Sequence, residues 1–400
     1  MYPIIRVSGT ARERGRRYGE QARDRVRRSI AAYEQVFRHE AGWSWERVRA
    51  EAAAFRAPIA AHGAKYLEEI DGIAEGAGVD PLDVLAINVR TEVMFAAKAR
   101  RAAAAADGAA GAGGAAPAGH PTLPLECSSL ALMPERTAAG RLLVAQTWDW
   151  LVHSFDTVVV LEAQQDDGPD FVTVVEAGLL AKTGLNSAGV ALATNALVTT
   201  DDLGRPGLPY HVALRSILDA ETVSDGLAAL LRGERSSSAN YLLAHEDGVA
   251  VDVEALPGDQ TRTFLGYPED GVVLHVNHLT WTDATVRDLS LWAMPDSPFR
   301  LARLRQLTGR AAGRLSVEDV QAILADERMS PYAICCRPDP RDAGVLRWAT
   351  ILGVVIDPAA RQLWLASGIP ADVGFERLDY AGFLSKPSAA RPAAPAAPAG

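Results

Sequence analysis

The sequence predicts an α+β fold in which two packed β-sheets are covered by helices on their outer faces. Apolar residues recur three and four positions apart up to about residue 100, and after residue 121 they fall in short runs rich in β-branched residues. Turn signals separate these runs, which favours antiparallel pairing, and helical stretches interrupt them in blocks. Strands with helices inserted in blocks are typical of two sheets with helices outside them.

Residues 10–100 are predicted to be all helical. Three stretches carry the helical spacing, and a fourth begins with Asp80 as a cap immediately before Pro81. The stretch 101–121, RAAAAADGAAGAGGAAPAGHP, has little to bury beyond alanine methyl groups and contains several glycine and proline residues. We therefore expect it to be a flexible surface loop.

The part after residue 121 carries the predicted strands and four further helices. The strand-like runs are SSLALM, RLLVAQTWDW, DTVVVLEAQ, FVTVVEAG, GVALATNAL, NYLLAHE, GVAVDVEAL, GVVLHVNHL, ATILGVVID and RQLWLAS. The helical runs are PYHVALRSILDA, VSDGLAALLRG, SPFRLARLRQL and SVEDVQAILADE. The low-complexity tail 386–400 is predicted to be disordered.

Composition and charge exclude several classes of protein. The 400 residues contain 50 acids and 40 bases, for a formal net charge of −10, which argues against a nucleic-acid partner. No apolar run is long enough to cross a bilayer, and the start, MYPIIRVSGTARERG, lacks the apolar core and cleavage site of a secretory signal. We therefore expect a cytoplasmic protein with no membrane partner.

The cysteine content predicts free thiols and no metal site. Cys127, Cys335 and Cys336 are too few for a disulfide framework, and two adjacent cysteines do not supply a zinc-ligand spacing. Neither GxxxxGK[ST] nor HExxH occurs, so a nucleotide-binding or zinc enzyme is not indicated.

Cys127 admits two interpretations. A lone cysteine near the start of a strand is usually a small core residue. However, the flexible stretch before it is readily cleaved, and a cut between Glu126 and Cys127 would make Cys127 a new N-terminus. One residue would then carry a thiol nucleophile and an α-amine whose ordinary pKa, about 8, is near that required of a base at neutral pH.

Other candidate residues are less distinctive. Asp149 is the one acid at an otherwise apolar and aromatic strand end; because a buried carboxylate must be paired, it is either a structural cap or orients a charged group. In HVNHL, strand alternation would point His275 and His278 to opposite faces, which disfavours a shared metal, and would point Asn277 with His275.

A series of motifs resembles the acyl-coenzyme A:isopenicillin N acyltransferase family of self-cleaving N-terminal-nucleophile cysteine hydrolases and acyltransferases. GTARERGRRYGEQ, KYLEEIDGIAEGAG and INVRTE are similar to its helical propeptide, and ECSSLAL with AQTWDW is similar to its processing strand and following hairpin. The later motifs follow in the family order: VEAGLLAKTGLNSAGVALATNAL, GLPYHVALR, HVNHL and SPYAICCR. The likeness runs from about residue 4 to about residue 370.

This resemblance implies a four-layer αββα sandwich of the N-terminal-nucleophile hydrolase type, preceded by a helical propeptide. It also implies self-cleavage at Glu126–Cys127 into an α chain, 1–126, and a catalytic β chain, 127–385, that stay associated. The tail 386–400 would follow the β chain. An acyl-enzyme on Cys127 would pass its acyl group to water or to an amine.

The resemblance assigns roles to five residues. Cys127 would be the nucleophile, and Asp149 would orient the new α-amine. Asn195 and Asn277 would stabilise the oxyanion. Arg337 would fill the place of a family arginine, although Ile334-Cys335-Cys336-Arg337 replaces the family's Ile-Cys-Arg and puts the arginine one position late.

Two further departures concern the cleavage site and its hairpin. Glu126 stands where the best-known members have glycine, which restricts the backbone and adds a charge beside the scissile carbonyl. Thr147 replaces the usual asparagine of the hairpin and supplies a hydroxyl group in place of an amide.

The expected substrate is a small amide or acyl-thioester, with no bound cofactor and with acyl-coenzyme A as an optional co-substrate. The identity of the acyl donor and the balance between hydrolysis and transfer stay open, because pocket residues are scattered over loops. The alternative is a non-catalytic member of the fold, processed or unprocessed, that acts as a binding or scaffold protein.

Overall fold

The computed structural model describes residues 1–109, 126–281, 286–310, 314–342 and 344–385. The tail 386–400, predicted to be disordered, and residues 110–121 of the predicted loop lie outside this described part.

The described residues form strands and helices in the order that the sequence pattern predicts, with several additions. The strands are β1 (Ile4–Gly9), β2 (Glu126–Leu132), β3 (Leu143–Leu151), β4 (Val158–Gln165), β5 (Phe171–Glu176), β6 (Thr183–Asn186), β7 (Val190–Ala196), β8 (Ala239–His245), β9 (Val249–Ala255), β10 (Thr263–Gly266), β11 (Val272–His275), β12 (Trp348–Asp357), β13 (Gln362–Ala366) and β14 (Glu376–Asp379). The helices are α1 (Ala11–Gln21), α2 (Arg23–Ala41), α3 (Trp45–Ala53), α4 (Arg56–His62), α5 (Ala64–Ala77), α6 (Pro81–Asn88), α7 (Arg90–Ala109), α8 (Tyr210–Leu218), α9 (Val223–Leu231), α10 (Ser290–Ala293), α11 (Ser297–Arg310), α12 (Val317–Leu324) and α13 (Pro370–Val373).

The strands form two sheets that pack face to face. The eight-stranded sheet has the order β1-β4-β5-β6-β7-β8-β9-β10, and the six-stranded sheet has the order β11-β2-β3-β12-β13-β14. Neighbouring strands are antiparallel except for β1 and β4, which are parallel. The inner faces meet where β2 and β3 cross β7, and this contact brings Cys127 close to the opposite sheet.

Helices cover the outer face of each sheet. Helices α8 and α9 pack on β6, β7 and β8, and helices α11 and α12 pack on β3, β11 and β12. A separate apolar cluster that includes Leu130, Leu143, Leu304 and Val320 fills the space beneath α11 and α12. The four layers confirm the predicted αββα sandwich.

The predicted all-helical front section is preceded by a strand. Residues Ile4–Gly9 pair in parallel with β4 in the register Ile4↔Val160 to Gly9↔Gln165. The sequence IIRV is rich in β-branched residues, which favour an extended backbone on a half-buried surface. The N-terminal part is therefore joined to the eight-stranded sheet by main-chain hydrogen bonds.

Helices α1 and α5 approach closely through glycines. A Cβ atom built on Gly19 would lie 2.1 Å from the carbonyl oxygen of Ile73, and one built on Gly76 would lie 2.0 Å from that of Arg16. Real atoms do not approach so closely, so these positions hold the two helices together only as glycine.

The predicted loop 101–121 begins as a helix. Helix α7 continues to Ala109, which corrects the loop prediction for residues 101–109. The reason is that alanine has the highest helix propensity of all residues, so a run of alanines extends an existing helix.

Candidate active site

Cys127 is the second residue of β2, in the part of this strand that pairs with a neighbouring strand on one side only. Strand β3 pairs along the whole of β2, from Glu126↔Asp149 to Leu132↔Leu143. Strand β11 pairs on the other side only as far as His275↔Ser129. The main-chain groups of Cys127 on that side must therefore find partners other than a strand.

Asn277 provides the first of these partners. It follows the end of β11, and its Oδ1 accepts a hydrogen bond of 2.8 Å from the main-chain N–H of Cys127. Its Nδ2 donates to the carbonyl oxygen of Ala196 at 2.9 Å, and its own N–H donates to Ser297 Oγ at 2.9 Å. These bonds fix the amide so that its oxygen faces the nitrogen of Cys127.

Asn195 reaches the same residue from the opposite sheet. It is buried on β7, and its Nδ2 donates to the carbonyl oxygen of Cys127 at 3.0 Å. Its Oδ1 accepts from Ser129 Oγ at 2.6 Å, which sets the orientation of the amide. The structure thus brings Asn195 and Asn277 together at the main-chain atoms of Cys127.

Arg300 joins this cluster and is not predicted from the sequence. It lies on α11 with 1% of its surface exposed, and its NH1 group donates to the carbonyl oxygen of Cys127 at 2.9 Å and to Ser128 Oγ at 3.1 Å. Its NH2 group donates to Asn277 Oδ1 at 3.0 Å. A signal exists, because Arg300 is four residues before the buried Leu304 on the core-facing side of its helix.

Asp149 is fully buried on β3 and pairs in register with Glu126. Its Oδ1 accepts from Thr350 Oγ1 at 2.5 Å, and Thr350 Oγ1 in turn accepts from the N–H of Cys336 at 2.7 Å. Its Oδ2 has no hydrogen-bond partner within the described part of the chain. Burial raises the pKa of Asp149 to about 7, although the positive charge of Arg300 acts to lower it.

The side chain of Cys127 points to the inner face of its sheet. Cys127 is directly opposite Trp148, and opposite residues on paired strands project to the same face. Burial raises the pKa of the thiol, while the positive charge of Lys182 and hydrogen bonds with the Gln146 side chain and the Asp149 main chain act in the other direction. The negative charge of Asp149 acts with burial, so the pKa of the thiol stays above its ordinary value in the uncut chain.

Arg337 is not brought to this cluster. Its Nε bonds to Glu327, and its two terminal nitrogens bond to the Asp372 carboxylate at 2.5 and 2.7 Å. The segment around it forms bends and no strand, so strand alternation does not orient its side chain. Arg300 is the arginine that lies next to Cys127.

His275 and His278 occupy different environments. His275 is buried, and its ring nitrogens lie 2.7 Å from the carbonyl oxygen of Val276 and 2.9 Å from Glu254 Oε1. Burial alone would lower the pKa of His275, but the negative charges of Asp252 and Glu254 raise it above its ordinary value. His278 contacts Ser297 Oγ at 2.8 Å instead. The two rings thus have separate partners, with His275 fixing the segment that leads to Asn277.

A buried arginine of the N-terminal part, Arg90, contacts residues of the sandwich. Arg90, at the start of α7, forms an ion pair of 3.3 Å with Glu176 on β5 and contacts His211 Nε2 at 2.8 Å. Burial would raise the pKa of Glu176, but Arg90 and His153 lower it to about 2. The carboxylate also accepts a hydrogen bond of 2.6 Å from the hydroxyl of Tyr33 on α2. These contacts join residues 1–109 to the sandwich.

Comparison with known proteins identifies the family. Residues 136–372, more than half of the chain, match the family model described as acyl-coenzyme A:6-aminopenicillanic acid acyl-transferase. The chain belongs to this acyltransferase family.

A curated relative extends the match beyond the family model. The acyl-coenzyme A:6-aminopenicillanic-acid-acyltransferase 40 kDa form of Emericella nidulans is 25% identical over 307 residues, which cover 76% of each chain. The resemblance seen in the motifs is thereby confirmed at the level of the family, and the activity that it supports for this family member is acyl transfer in general.

Solved structures with a similar fold include an acylase and a hydrolase. Penicillin V acylase from Agrobacterium tumefaciens is 14% identical with a TM-score of 0.42, covering 65% of this chain and 88% of its own. A variant of conjugated bile acid hydrolase from Clostridium perfringens is 12% identical with a TM-score of 0.44, covering 65% of this chain and 94% of its own. The family match and the four observed layers confirm the predicted fold class, an αββα sandwich of the N-terminal-nucleophile hydrolase type.

None of the helices described is both long enough and apolar enough to cross a bilayer. The cytoplasmic location stays a prediction.

Proposed function

We propose that this acyltransferase-family protein cuts its own chain between Glu126 and Cys127 and then uses Cys127 as the nucleophile in acyl transfer or hydrolysis. The observation that carries the proposal is the set of side-chain hydrogen bonds to the main chain of Cys127. Side chains from strand β7, from helix α11 and from the segment after β11 hold its N–H and its carbonyl oxygen at 2.8 to 3.0 Å. A core-filling cysteine would not require such a set.

Self-cleavage begins with attack of the Cys127 sulfur on the carbonyl carbon of Glu126. The bond between that carbon and the Cys127 nitrogen breaks, a thioester bond forms, and the thiol proton ends on the departing amine. Water then hydrolyses the thioester to give the Glu126 carboxylate and a free thiol. The reaction requires a fixed geometry at the scissile peptide. Asn277 holds the Cys127 nitrogen of that peptide, and Asn195 and Arg300 hold the Cys127 carbonyl oxygen of the peptide that follows it.

Asp149 and Asn277 would hold the amine that the cut releases. The buried Oδ2 of Asp149 has no partner among the described residues, and Glu126 lies directly opposite Asp149 in the sheet register. Asn277 Oδ1 already accepts from the same nitrogen. A positive amine would satisfy Asp149 Oδ2, which a buried carboxylate requires.

The mature residue would then act on substrate. Its α-amine accepts the thiol proton, the sulfur attacks an amide or acyl-thioester carbonyl, and the acyl group moves to water or to an amine. The Nδ2 groups of Asn195 and Asn277 are the proposed oxyanion donors, while Asn277 Oδ1 keeps its bond to the Cys127 nitrogen. No bound cofactor is required in this scheme, and acyl-coenzyme A is one candidate acyl donor, as in the names of the family and of the Emericella relative.

The two pieces would stay associated after the cut. The parallel pairing of β1 with β4 and the buried ion pair of Arg90 with Glu176 both join residues 1–126 to residues 127–400. Neither contact depends on the Glu126–Cys127 bond.

Intact-mass measurement of the purified protein tests the cleavage. We expect wild type to give two chains that meet at Glu126–Cys127 and the Cys127→Ala variant to stay whole. Cys335→Ala is the matched control, because Cys335 is also a buried free cysteine, and it should be cut as wild type is. Uncut wild-type protein, or cleavage of Cys127→Ala, would contradict the proposal.

A second measurement separates transfer from hydrolysis. The cut protein is incubated with a panel of acyl-thioesters and acyl-amides, with and without an added amine. Transfer predicts that the amine captures the acyl group in preference to water, since transfer requires a site that excludes water. Equal hydrolysis with and without the amine would identify a hydrolase.

A further inference from the structure

Lys182 is a buried lysine to which the scheme above gives no role. It precedes β6 and is 4% exposed, and its Nζ donates to the hydroxyl of Tyr210 at 3.4 Å. The same nitrogen lies 4.9 Å from the ring centre of Trp148 and 5.4 Å from that of Tyr210. Within the described residues it forms no ion pair with a carboxylate. A buried charge without such a partner is costly and calls for a functional reason.

The aromatic ring next to Lys182 connects it to the nucleophile. Trp148 is directly opposite Cys127 in the register of β2 and β3, so both side chains project to the same inner face of the sheet. The ammonium group, the indole ring and the thiol therefore share one buried compartment between the two sheets.

We propose that Lys182 is a positioning residue whose ammonium group stabilises the thiolate of Cys127. The inference rests on the proposed function, because it assumes that Cys127 is the nucleophile. A charged Lys182 or a Cys127 thiolate alone would be an unpaired buried charge, which is costly in free energy. When both groups are charged, they form one ion pair, and this lowers the cost.

The direction of each pKa agrees with this coupling. Burial lowers the pKa of Lys182, and Cys127 is the strongest of the influences that raise it again. Burial raises the pKa of Cys127, and Lys182 is the strongest of the influences that lower it. Arg90 also acts to lower the pKa of Lys182, whereas Glu176 and Asp149 act to raise it.

The reaction rate of Cys127 with iodoacetamide as a function of pH tests the proposal on the cut protein. The rate is read from the mass of the 127–400 chain. The uncut Cys127→Ala protein, whose remaining cysteines are Cys335 and Cys336, is the blank for labelling at those two positions. Lys182→Met should lower the rate at pH 7 about tenfold and move the profile to higher pH, because one nearby opposite charge is lost. Lys182→Arg keeps the positive charge and should keep the profile near that of wild type.

The matched control is Lys98→Met. Lys98 is a half-buried lysine on α7 whose electrostatic partner is Glu40, and its pKa is lowered by burial to about 8. Its removal should leave the profile unchanged. Circular dichroism and the extent of cleavage show whether each variant is folded.

The outcomes separate this inference from the proposed function. If folded, cut Lys182→Met protein reacts with the wild-type profile, Lys182 does not support the thiolate, and the proposed function stands. If Lys182→Met is not cut, the test is made on Lys182→Arg. A shift of its rate profile to higher pH, although the positive charge is kept, overturns the inference. If wild type is uncut, or its Cys127 does not react, the proposed function fails and the inference fails with it.

Discussion

Arg300 offers the sharpest test of how the cleavage site is held. Arg300→Met keeps most of the side-chain volume but removes the hydrogen bonds to the Cys127 carbonyl oxygen and to Asn277 Oδ1. Bonds from a charged donor contribute about 1.5 to 3 kcal/mol each, so the lower value for two bonds gives about 3 kcal/mol. At about 1.4 kcal/mol per factor of ten, cleavage should slow on the order of 100-fold.

The assay is a time course of precursor and products after synthesis, followed by intact mass. Arg303→Met is the matched control, because Arg303 lies on the same helix, is largely buried and pairs with Asp326 instead of the cleavage site. It should cut at the wild-type rate. Arg300→Lys, which keeps the charge but loses the two-pronged geometry, should fall between the two.

One result would refute this reasoning. If Arg300→Met is folded, as judged by its thermal unfolding, and is cut as fast as Arg303→Met, then the bonds of Arg300 do not orient the scissile peptide. The cluster at Cys127 would then serve folding alone.

Three further predictions concern stability and assembly. Because burial raises the folded-state pKa of Asp149 to about 7 from its ordinary 3.8, its contribution to the stability of the uncut Cys127→Ala protein is present at low pH and is lost between about pH 4 and 7. Adding Asp149→Asn should therefore make thermal unfolding less sensitive to pH in that range, with a gain of up to about 4 kcal/mol above pH 7; parallel curves would contradict this. Gly19→Ala should destabilise the protein by about 1 to 3 kcal/mol in denaturant unfolding, since a Cβ there would meet main-chain atoms of α5, whereas Gly309→Ala on α11, where nothing lies within 4 Å, should be neutral or stabilising. Arg90→Leu removes the arginine of the buried ion pair but leaves Glu176 beside His153 and Tyr33, so it should cost about 3 kcal/mol, the lower end of the range for breaking a buried pair, seen as separation of the two chains at lower urea; unchanged association would argue against a role for this ion pair.

The sequence pattern predicts the fold well wherever an element buries one face. The runs after residue 121 form strands of two sheets, and Asp80 caps α6 by accepting from the N–H of Leu82 at 2.8 Å. Strand β1 is missed because it is a short run of six residues whose partner β4 is more than 150 positions away. Its pairing is a tertiary effect that local periodicity does not contain.

The candidate site is predictable where a motif places a residue on or beside a strand. Asp149, Asn195 and Asn277 follow from their motifs, and the two asparagines bond to the main chain of Cys127. Arg337 shows the limit of motif matching, since its position depends on how the segment bends and it pairs with Glu327 and Asp372.

Arg300 and Lys182 show a different limit. Each residue has a local sequence that gives no sign of an unusual environment. Arg300 lies on an amphipathic helix, and Lys182 lies in the segment just before β6. Only the packing of the helix on the sheet, and of one sheet on the other, reveals that both charges are buried beside Cys127. A charged residue at a core-facing position is the signal that sequence reasoning could have used.

The proposed cleavage also explains why an unsatisfied carboxylate oxygen is buried at this site. In the uncut chain the Cys127 nitrogen has one hydrogen, which Asn277 Oδ1 accepts, and Asp149 Oδ2 has no partner in the described part of the chain. A released ammonium group has three hydrogens, so Asn277 can keep its bond while Asp149 gains one. The cut would then pair a buried carboxylate with a positive charge, which lowers its pKa. The uncut site is thus the less satisfied of the two states, which favours cleavage.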